Sequence, residues 1–217
     1  MNKYIRELVL WVLIALPYVY LASIWKELPE QVPTHFDLAG KANDWSGKHT
    51  LLYIPGAMCL GTYLLMLVIP VLDPKRKLRQ MEGKYQGLRF MLTLFMSGLS
   101  VYLLYISKQG GMENPQWLIA FIGLMLAMMG NYFQALRPNY FVGIRTPWTL
   151  ESEDVWKKTH WLGGRLWMAG GVLIIILSFI IRNHMPLLIV AGSILFILVV
   201  VPVGFSFIAF RKESSAQ

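Results

Sequence analysis

The apolar residues of this chain form long uninterrupted blocks rather than the spaced stripe of an amphipathic helix. A helix needs about 20 apolar residues to cross the hydrocarbon core of a bilayer. Because backbone groups in lipid must bond within their own segment, each block of this length is predicted to be an α-helix. The blocks are residues 8–25, 51–72, 90–107, 117–136, 166–181 and 185–210.

Three of these blocks are unusual in their flanking residues or in their length. The first follows Lys3 and Arg6, as a signal peptide would, but its apolar run exceeds the usual length of about 7–15 residues and lacks a small-residue cleavage site. It is therefore predicted to remain as the first span. The fifth block is short, and its helix is expected to include residues 161–165 in order to cross the membrane. The helix of the sixth block is long enough to tilt in the membrane.

Only two connections are long enough to hold a functional site, residues 26–50 and 137–165. In the first, Pro29 and Pro33 disfavour helix, and the Asp, Asn and Gly residues that follow favour turns. We expect a compact irregular loop there. The connection over residues 73–89 is basic and is predicted to be helical where it leaves the membrane.

The second long connection contains a predicted short helix. Thr149 is expected to be its N-cap, and Glu151, Glu153 and Asp154 would then lie where the helix dipole favours negative charge. Trp156 and Trp161 are typical of a helix in the headgroup layer, and glycines 163 and 164 are expected to end it. Glycines spaced seven apart in the fourth and fifth spans predict close helix packing.

The charges predict how these segments lie in the membrane. With six spans, one side carries both termini and the loops 73–89 and 137–165, and this side holds 15 of the 20 Lys and Arg residues. The positive-inside rule then places both termini in the cytoplasm and residues 26–50 outside. This asymmetry accounts for the net charge of +8, so contacts with the lipid bilayer are expected rather than direct binding of nucleic acid.

Composition supports this assignment, because 56% of the residues are hydrophobic and 15% are charged, whereas a soluble domain carries about 25% charged residues. The predicted fold class is an all-α membrane protein, a six-helix bundle with both termini cytoplasmic and a short interfacial helix between helices four and five. Three regions are expected: residues 1–72, the basic loop 73–89, and residues 90–217. The lone Cys59 excludes a disulfide within the chain.

Charged side chains are absent from the cores of the six blocks, where proton relays and ion-coupled transporters usually need them. Asn131 and Gln134 are the strongest polar groups there, and hydrogen bonds between helices explain them most simply. A small-molecule or peptide exporter with a polar cavity around these two residues stays open as an alternative.

Arg145 is the candidate whose partner and role the sequence determines least. It lies among apolar neighbours and needs a partner, which could be Glu151, Glu153, Asp154 or a lipid phosphate. Arg145 either stabilises the loop or binds a ligand or a partner protein. A membrane enzyme acting on a lipid-linked or peptide substrate would use these groups with His160, although no GxSxG, HExxH or CxxC motif accompanies them.

The outer loop holds the weak candidates for a metal site. His35 and Asp37 lie two residues apart, with Asp44 and His49 further along. Their spacing matches no known metal motif, so neither a metal ion nor a cofactor is predicted. A hydrogen-bonded loop packed on the helix ends is the simpler interpretation.

Together the two long loops resemble the SdpI family of bacterial membrane proteins. The outer segment PEQVPTHFDLAGKANDWSGK is similar to the family's N-terminal domain, and NYFVGIRTPWTL at residues 139–150, followed by Trp156 and His160, resembles its C-terminal signature. The outer matching positions are Pro33, His35, Phe36, Asp37, Gly40, Trp45 and Lys48.

This resemblance implies an immunity protein of the bacterial cytoplasmic membrane that confers resistance to a secreted toxin peptide. It also implies signalling, in which a cytoplasmic repressor is captured at the membrane when the peptide is present. Binding of the peptide would fall on the outer residues His35, Phe36, Asp37, Gly40, Trp45 and Lys48. Binding of the repressor would fall on Arg145, Thr146, Trp148, Thr149, Glu151, Trp156 and His160.

Overall fold

The computed structural model describes residues 2–37, 40–73, 78, 81–112 and 114–215. Within them, six helical segments are long and apolar enough to cross a membrane, which confirms the six predicted blocks. These segments are α1 (Lys3–Ile24), the composite segment Lys48–Leu72 with α2 (Tyr53–Pro55) and α3 (Gly61–Leu72), α4 (Glu82–Gln109), α5 (Gln116–Phe133), α7 (Glu153–Ile180) and α8 (His184–Ser214), while the short α6 (Pro147–Glu151) precedes α7.

The second span changes helical type along its length. A 3₁₀ turn over Lys48–Leu52 leads into α2, and a π-helical stretch over Gly56–Leu60 leads into α3. Pro55 lies at the change of pitch, where its missing N–H removes one regular hydrogen bond. A Cβ on Gly56 would lie 2.9 Å from the Tyr18 hydroxyl, so this stretch lies close to α1.

The outer connection is a β-hairpin, so the prediction of an irregular loop was wrong. Strands β1 (Gln31–Phe36) and β2 (Ala42–Gly47) pair antiparallel, with Pro33 opposite Trp45. The register is irregular on both sides of His35. That irregularity accommodates a proline, which cannot donate to the ladder and is tolerated where pairing is interrupted.

The chain divides into two compact units. The first contains residues 1–68 and 87–115, and its core joins α1, the hairpin and α4 through side chains such as Leu21, Val32 and Leu104. A second cluster in this unit includes Leu10 and Cys59, which is buried and free. Cys59 therefore packs as a small apolar residue.

The second unit contains residues 69–86 and 116–217. Its α5 and α7 approach closely, because an added Cβ on Gly130 would lie 2.6 Å from the Gly164 carbonyl oxygen. An added Cβ on Gly171 would lie 2.5 Å from the Gly123 carbonyl oxygen. The predicted packing along glycine-bearing faces is confirmed.

The predicted ends of the inner helix were wrong. Thr146, not Thr149, caps α6, and Ser152 caps α7 by accepting a hydrogen bond from the Val155 N–H at 3.2 Å. Glycines 163 and 164 lie inside α7, which runs unbroken to Ile180. Packing against α5 stabilises helix there, and this contribution exceeds the weak intrinsic preference of glycine against helix. Six residues of the predicted basic helix at 73–89 (74–77, 79 and 80) lie outside the described residues, whereas α4 covers the loop from Glu82 onward.

Candidate functional site

We call residues 139–150 together with Trp156 and His160 the inner signature. It begins with a buried asparagine whose side chain makes four hydrogen bonds. The Asn139 amide nitrogen donates to the carbonyls of Arg137 at 2.8 Å and Val142 at 3.0 Å. Its oxygen accepts from the N–H groups of Phe141 at 2.9 Å and Val142 at 2.7 Å. Asn139 is 1% exposed, so it closes a tight turn by replacing backbone partners with its own side chain.

His160 and Trp156 form the centre of this loop. Their rings stack with centroids 3.9 Å apart, and the Trp156 indole donates to the Leu136 carbonyl at 2.8 Å. His160 Nε2 accepts from the Ile144 N–H at 2.9 Å, while Nδ1 lies 2.9 Å from the Trp156 carbonyl. Both ring nitrogens are therefore engaged, with the proton on Nδ1. A buried histidine in this state holds the loop and is not presented to a substrate.

Thr146 and Trp148 attach the loop to α8. Thr146 and Thr149 form a reciprocal capping box, and the Thr149 hydroxyl also donates to the Ile144 carbonyl at 2.9 Å. The Thr146 hydroxyl lies 3.1 Å from the Ser206 hydroxyl of α8. Trp148 packs on Phe207 of the same helix, with ring centroids 5.0 Å apart. Most of the predicted repressor-binding residues thus make internal contacts.

Arg145 and Glu151 differ from the other predicted residues of this loop, because their side chains are exposed. One guanidinium nitrogen of Arg145 donates to the Tyr140 carbonyl at 2.5 Å, a backbone acceptor that was not among the partners considered from the sequence. Asp154 instead pairs with Lys158 at 2.5 Å. The remaining guanidinium N–H groups of Arg145, together with the exposed Glu151, form the outward-facing part of the signature.

The hairpin of the first unit has its own set of contacts. Lys48 binds the Glu30 carboxylate at 2.8 Å, and this hydrogen bond and then the charge of Lys48 lower the pKa of Glu30. The Lys48 ammonium also lies 5.4 Å from the Trp25 ring centroid, and His49 lies against the same ring. The base of the hairpin is therefore attached to the end of α1.

At the hairpin tip, Gly40 has φ +78°, and an added Cβ would lie 2.9 Å from Pro115 Cγ. Asp37 accepts from the Lys41 N–H at 2.9 Å, and the His35 ring lies 2.6 Å from the Asn43 side-chain oxygen. Trp45 is exposed, and Phe36 is partly so. In the described part of the chain, no three His, Cys, Asp or Glu side chains are grouped so that they could hold a metal ion.

One polar cluster was missed by the sequence reasoning. Glu7 of α1 accepts from Arg89 of α4 and from the Tyr63 hydroxyl of α3, the latter at 2.9 Å. The Arg89 side chain is 3% exposed, and its guanidinium lies 5.3 Å from the Tyr63 ring centroid. Glu7 and Arg89 each lie one residue outside a predicted apolar block, but the helices extend past those limits and include them.

Asn131 near the end of α5 and Gln134 just after it, the candidates for a polar cavity, are both exposed. Two cavities in the described part of the chain lie at the ends of α7 and α8 and are lined by other side chains. Neither cavity supports the exporter interpretation.

Comparison with known proteins matches both loops. Residues 135–208 match the SdpI/YfhL protein family, and residues 12–59 match a domain of unknown function, DUF1648. The chain is 24% identical to the immunity protein SdpI of Bacillus subtilis over 186 residues, which cover 85% of this chain and 87% of the relative. No solved structure matches the chain significantly.

Proposed function

We propose that this SdpI-family membrane protein is an immunity protein that protects its own membrane against a secreted antimicrobial or toxin peptide. The observation that carries the proposal is similarity to an immunity protein along 85% of the chain. The matched segments contain the hairpin and the inner signature, the two polar structures between the spans. Six helices able to cross a membrane are consistent with action at the bilayer.

The hairpin is the surface that we assign to the peptide. Its exposed side chains combine an aromatic ring, Trp45, with polar groups such as Asn43 and Asp44. A membrane-active peptide is amphipathic, and a surface carrying both kinds of group matches it. Gly40 fixes the tip against Pro115, so the surface is preformed.

Expression in a host sensitive to such a peptide tests the proposal. Cells carrying the protein should survive peptide concentrations that kill cells with an empty vector. Gly40→Ala should reduce this protection, because both its positive φ and its contact with Pro115 oppose a side chain. Gly47→Ala is the matched control, since no atom lies within 4 Å of its added Cβ. Absence of protection by the wild-type protein against every peptide tried would refute the proposal.

We assign a signalling role to the inner signature, in which the exposed Arg145 contacts a cytoplasmic repressor. Arg145→Ala should leave protection unchanged and abolish recruitment of that partner to the membrane, measured by fractionation of a tagged repressor. Among the residues that the structure describes, its side chain donates only to the Tyr140 carbonyl, so the fold should tolerate the change. Equal recruitment by the variant and the wild type would contradict this assignment.

A further inference from the structure

A groove of about 390 Å³ lies between α7 and α8 in the second unit. Trp161 and Leu162 of α7 and Phe205 of α8 form an apolar lining, and Lys157 and Lys158 complete it. A groove with apolar walls and cationic side chains suits a ligand with an apolar chain and a negative head. The immunity proposal makes no use of this site.

One stripe of α7 supplies the charge. Lys157, Trp161 and Arg165 follow one another at intervals of four residues, so they lie on one face of the helix, and all three are exposed. The Arg165 guanidinium lies 3.7 Å from the Trp161 ring centroid. Eight residues of helix separate the Cα atoms of Lys157 and Arg165 by about 12 Å, and the Arg165 side chain reaches back toward Trp161. Trp161 therefore has a cation on either side.

The charges of the stripe are not neutralised by neighbouring acids. Lys158, next to the stripe, pairs with Asp154 at 2.5 Å. Neither Lys157 nor Arg165 has a carboxylate partner among the residues that the structure describes. Two cations beside an apolar groove thus remain available to an external anion.

The position along the helix identifies the class of ligand. The apolar run of α7 begins at Leu166, directly after Arg165, so the stripe falls where a spanning helix leaves the hydrocarbon core. Tryptophan, lysine and arginine are the side chains favoured at that level. A phospholipid places a phosphate at the same depth and an acyl chain just below it.

We propose that this groove binds one anionic phospholipid of the phosphatidylglycerol type. Lys157 and Arg165 bind the headgroup phosphate on either side of Trp161, and one acyl chain lies against Leu162 and Phe205. A zwitterionic lipid fills the same apolar groove, but repulsion between its positive group and the two cations offsets their attraction to its phosphate. The site therefore selects for net negative charge.

Native mass spectrometry of the full-length protein in detergent tests the site, with phosphatidylglycerol and phosphatidylcholine as probes. The wild-type protein should retain the anionic lipid preferentially. The double variant Lys157→Gln/Arg165→Gln should lose about 30-fold in affinity for phosphatidylglycerol, at roughly 1 kcal/mol per charge, with phosphatidylcholine unaffected. Arg182→Gln removes an exposed cation just beyond the other end of α7 and should change neither.

Two further measurements separate the parts of the site. Phe205→Ala should weaken retention of both lipids, because it removes the apolar wall without altering charge. Glycerol 3-phosphate, a headgroup without acyl chains, should not displace bound phosphatidylglycerol. Undiminished selectivity in the double variant, or full displacement by glycerol 3-phosphate, would overturn the proposal. Both outcomes are independent of protection against a peptide.

Discussion

Gly143 holds the inner signature together because it has no side chain. Its φ is +117°, and an added Cβ would lie 2.4 Å from His160 Nε2 and 3.2 Å from the Trp156 ring. The Ile144 N–H donates a hydrogen bond to the His160 imidazole at 2.9 Å, and a side chain at position 143 would push the ring away from this donor. The stacked pair of rings and the turn that covers it therefore depend on one glycine.

We expect Gly143→Ala to destabilise the protein by about 2–4 kcal/mol. Backbone strain contributes roughly 1–3 kcal/mol, and the weakened buried hydrogen bond adds about 1 kcal/mol. Thermal unfolding of the purified protein in detergent measures the change. Gly192→Ala in α8 is the control, because its Cβ meets no atom within 4 Å and alanine favours helix. Equal unfolding temperatures for the two variants would contradict this account.

The sequence displays the turn-forming residues of the signature but not the partners of its other side chains. Turn formers such as Asn139 and Gly143 have local conformational preferences, which a sequence displays directly. The hydrogen bonds from Ile144 to His160 and between Thr146 and Ser206 join residues 16 and 60 positions apart. Such pairs are set by helix packing, and for this reason residues predicted to bind a partner are found making internal contacts.

At the scale of elements, two predictions failed where tertiary contacts outweigh local preference. The hairpin strands carry Pro33, Asn43 and Asp44, which strands generally avoid, yet pairing and the burial of Val32 stabilise them. In α7, glycines 163 and 164 lie inside the helix because close approach to α5 requires small residues there. In both cases the stabilising partner is distant in sequence.

The cluster of Glu7, Tyr63 and Arg89 links three helical elements of the first unit, and we expect it to contribute strongly to stability. Arg89→Met removes the buried cation of this cluster and leaves the Glu7 carboxylate, which is 29% exposed, without its charge partner, at a cost of about 2–3 kcal/mol. Glu27→Gln, which breaks an exposed pair with Lys108, should cost far less stability. Chemical unfolding in mixed micelles compares the two. Similar losses for both variants would show that burial of the first pair is unimportant.

At the scale of the whole molecule, the number of spans could be predicted because it depends on block length alone. About 20 apolar residues cross a bilayer whatever their tertiary contacts are, and all six blocks form helices of sufficient length. The ends of those helices were harder to predict, because α1 and α4 include Glu7 and Arg89 beyond their apolar blocks. Charge paired inside the fold is tolerated where hydropathy alone would end a span.

Orientation is the prediction that belongs to the molecule as a whole, and labelling of intact cells decides it. In a Cys59→Ser background, Lys41→Cys in the connection between the hairpin strands should react with a membrane-impermeant maleimide, and Ser214→Cys at the end of α8 should not. Both positions are exposed in the structure, so a difference in reaction reports the side of the membrane. Permeabilised cells, in which both cysteines should react, supply the control. The reverse pattern would place the basic loops outside and the hairpin in the cytoplasm, and a peptide arriving from outside would then meet the inner signature first.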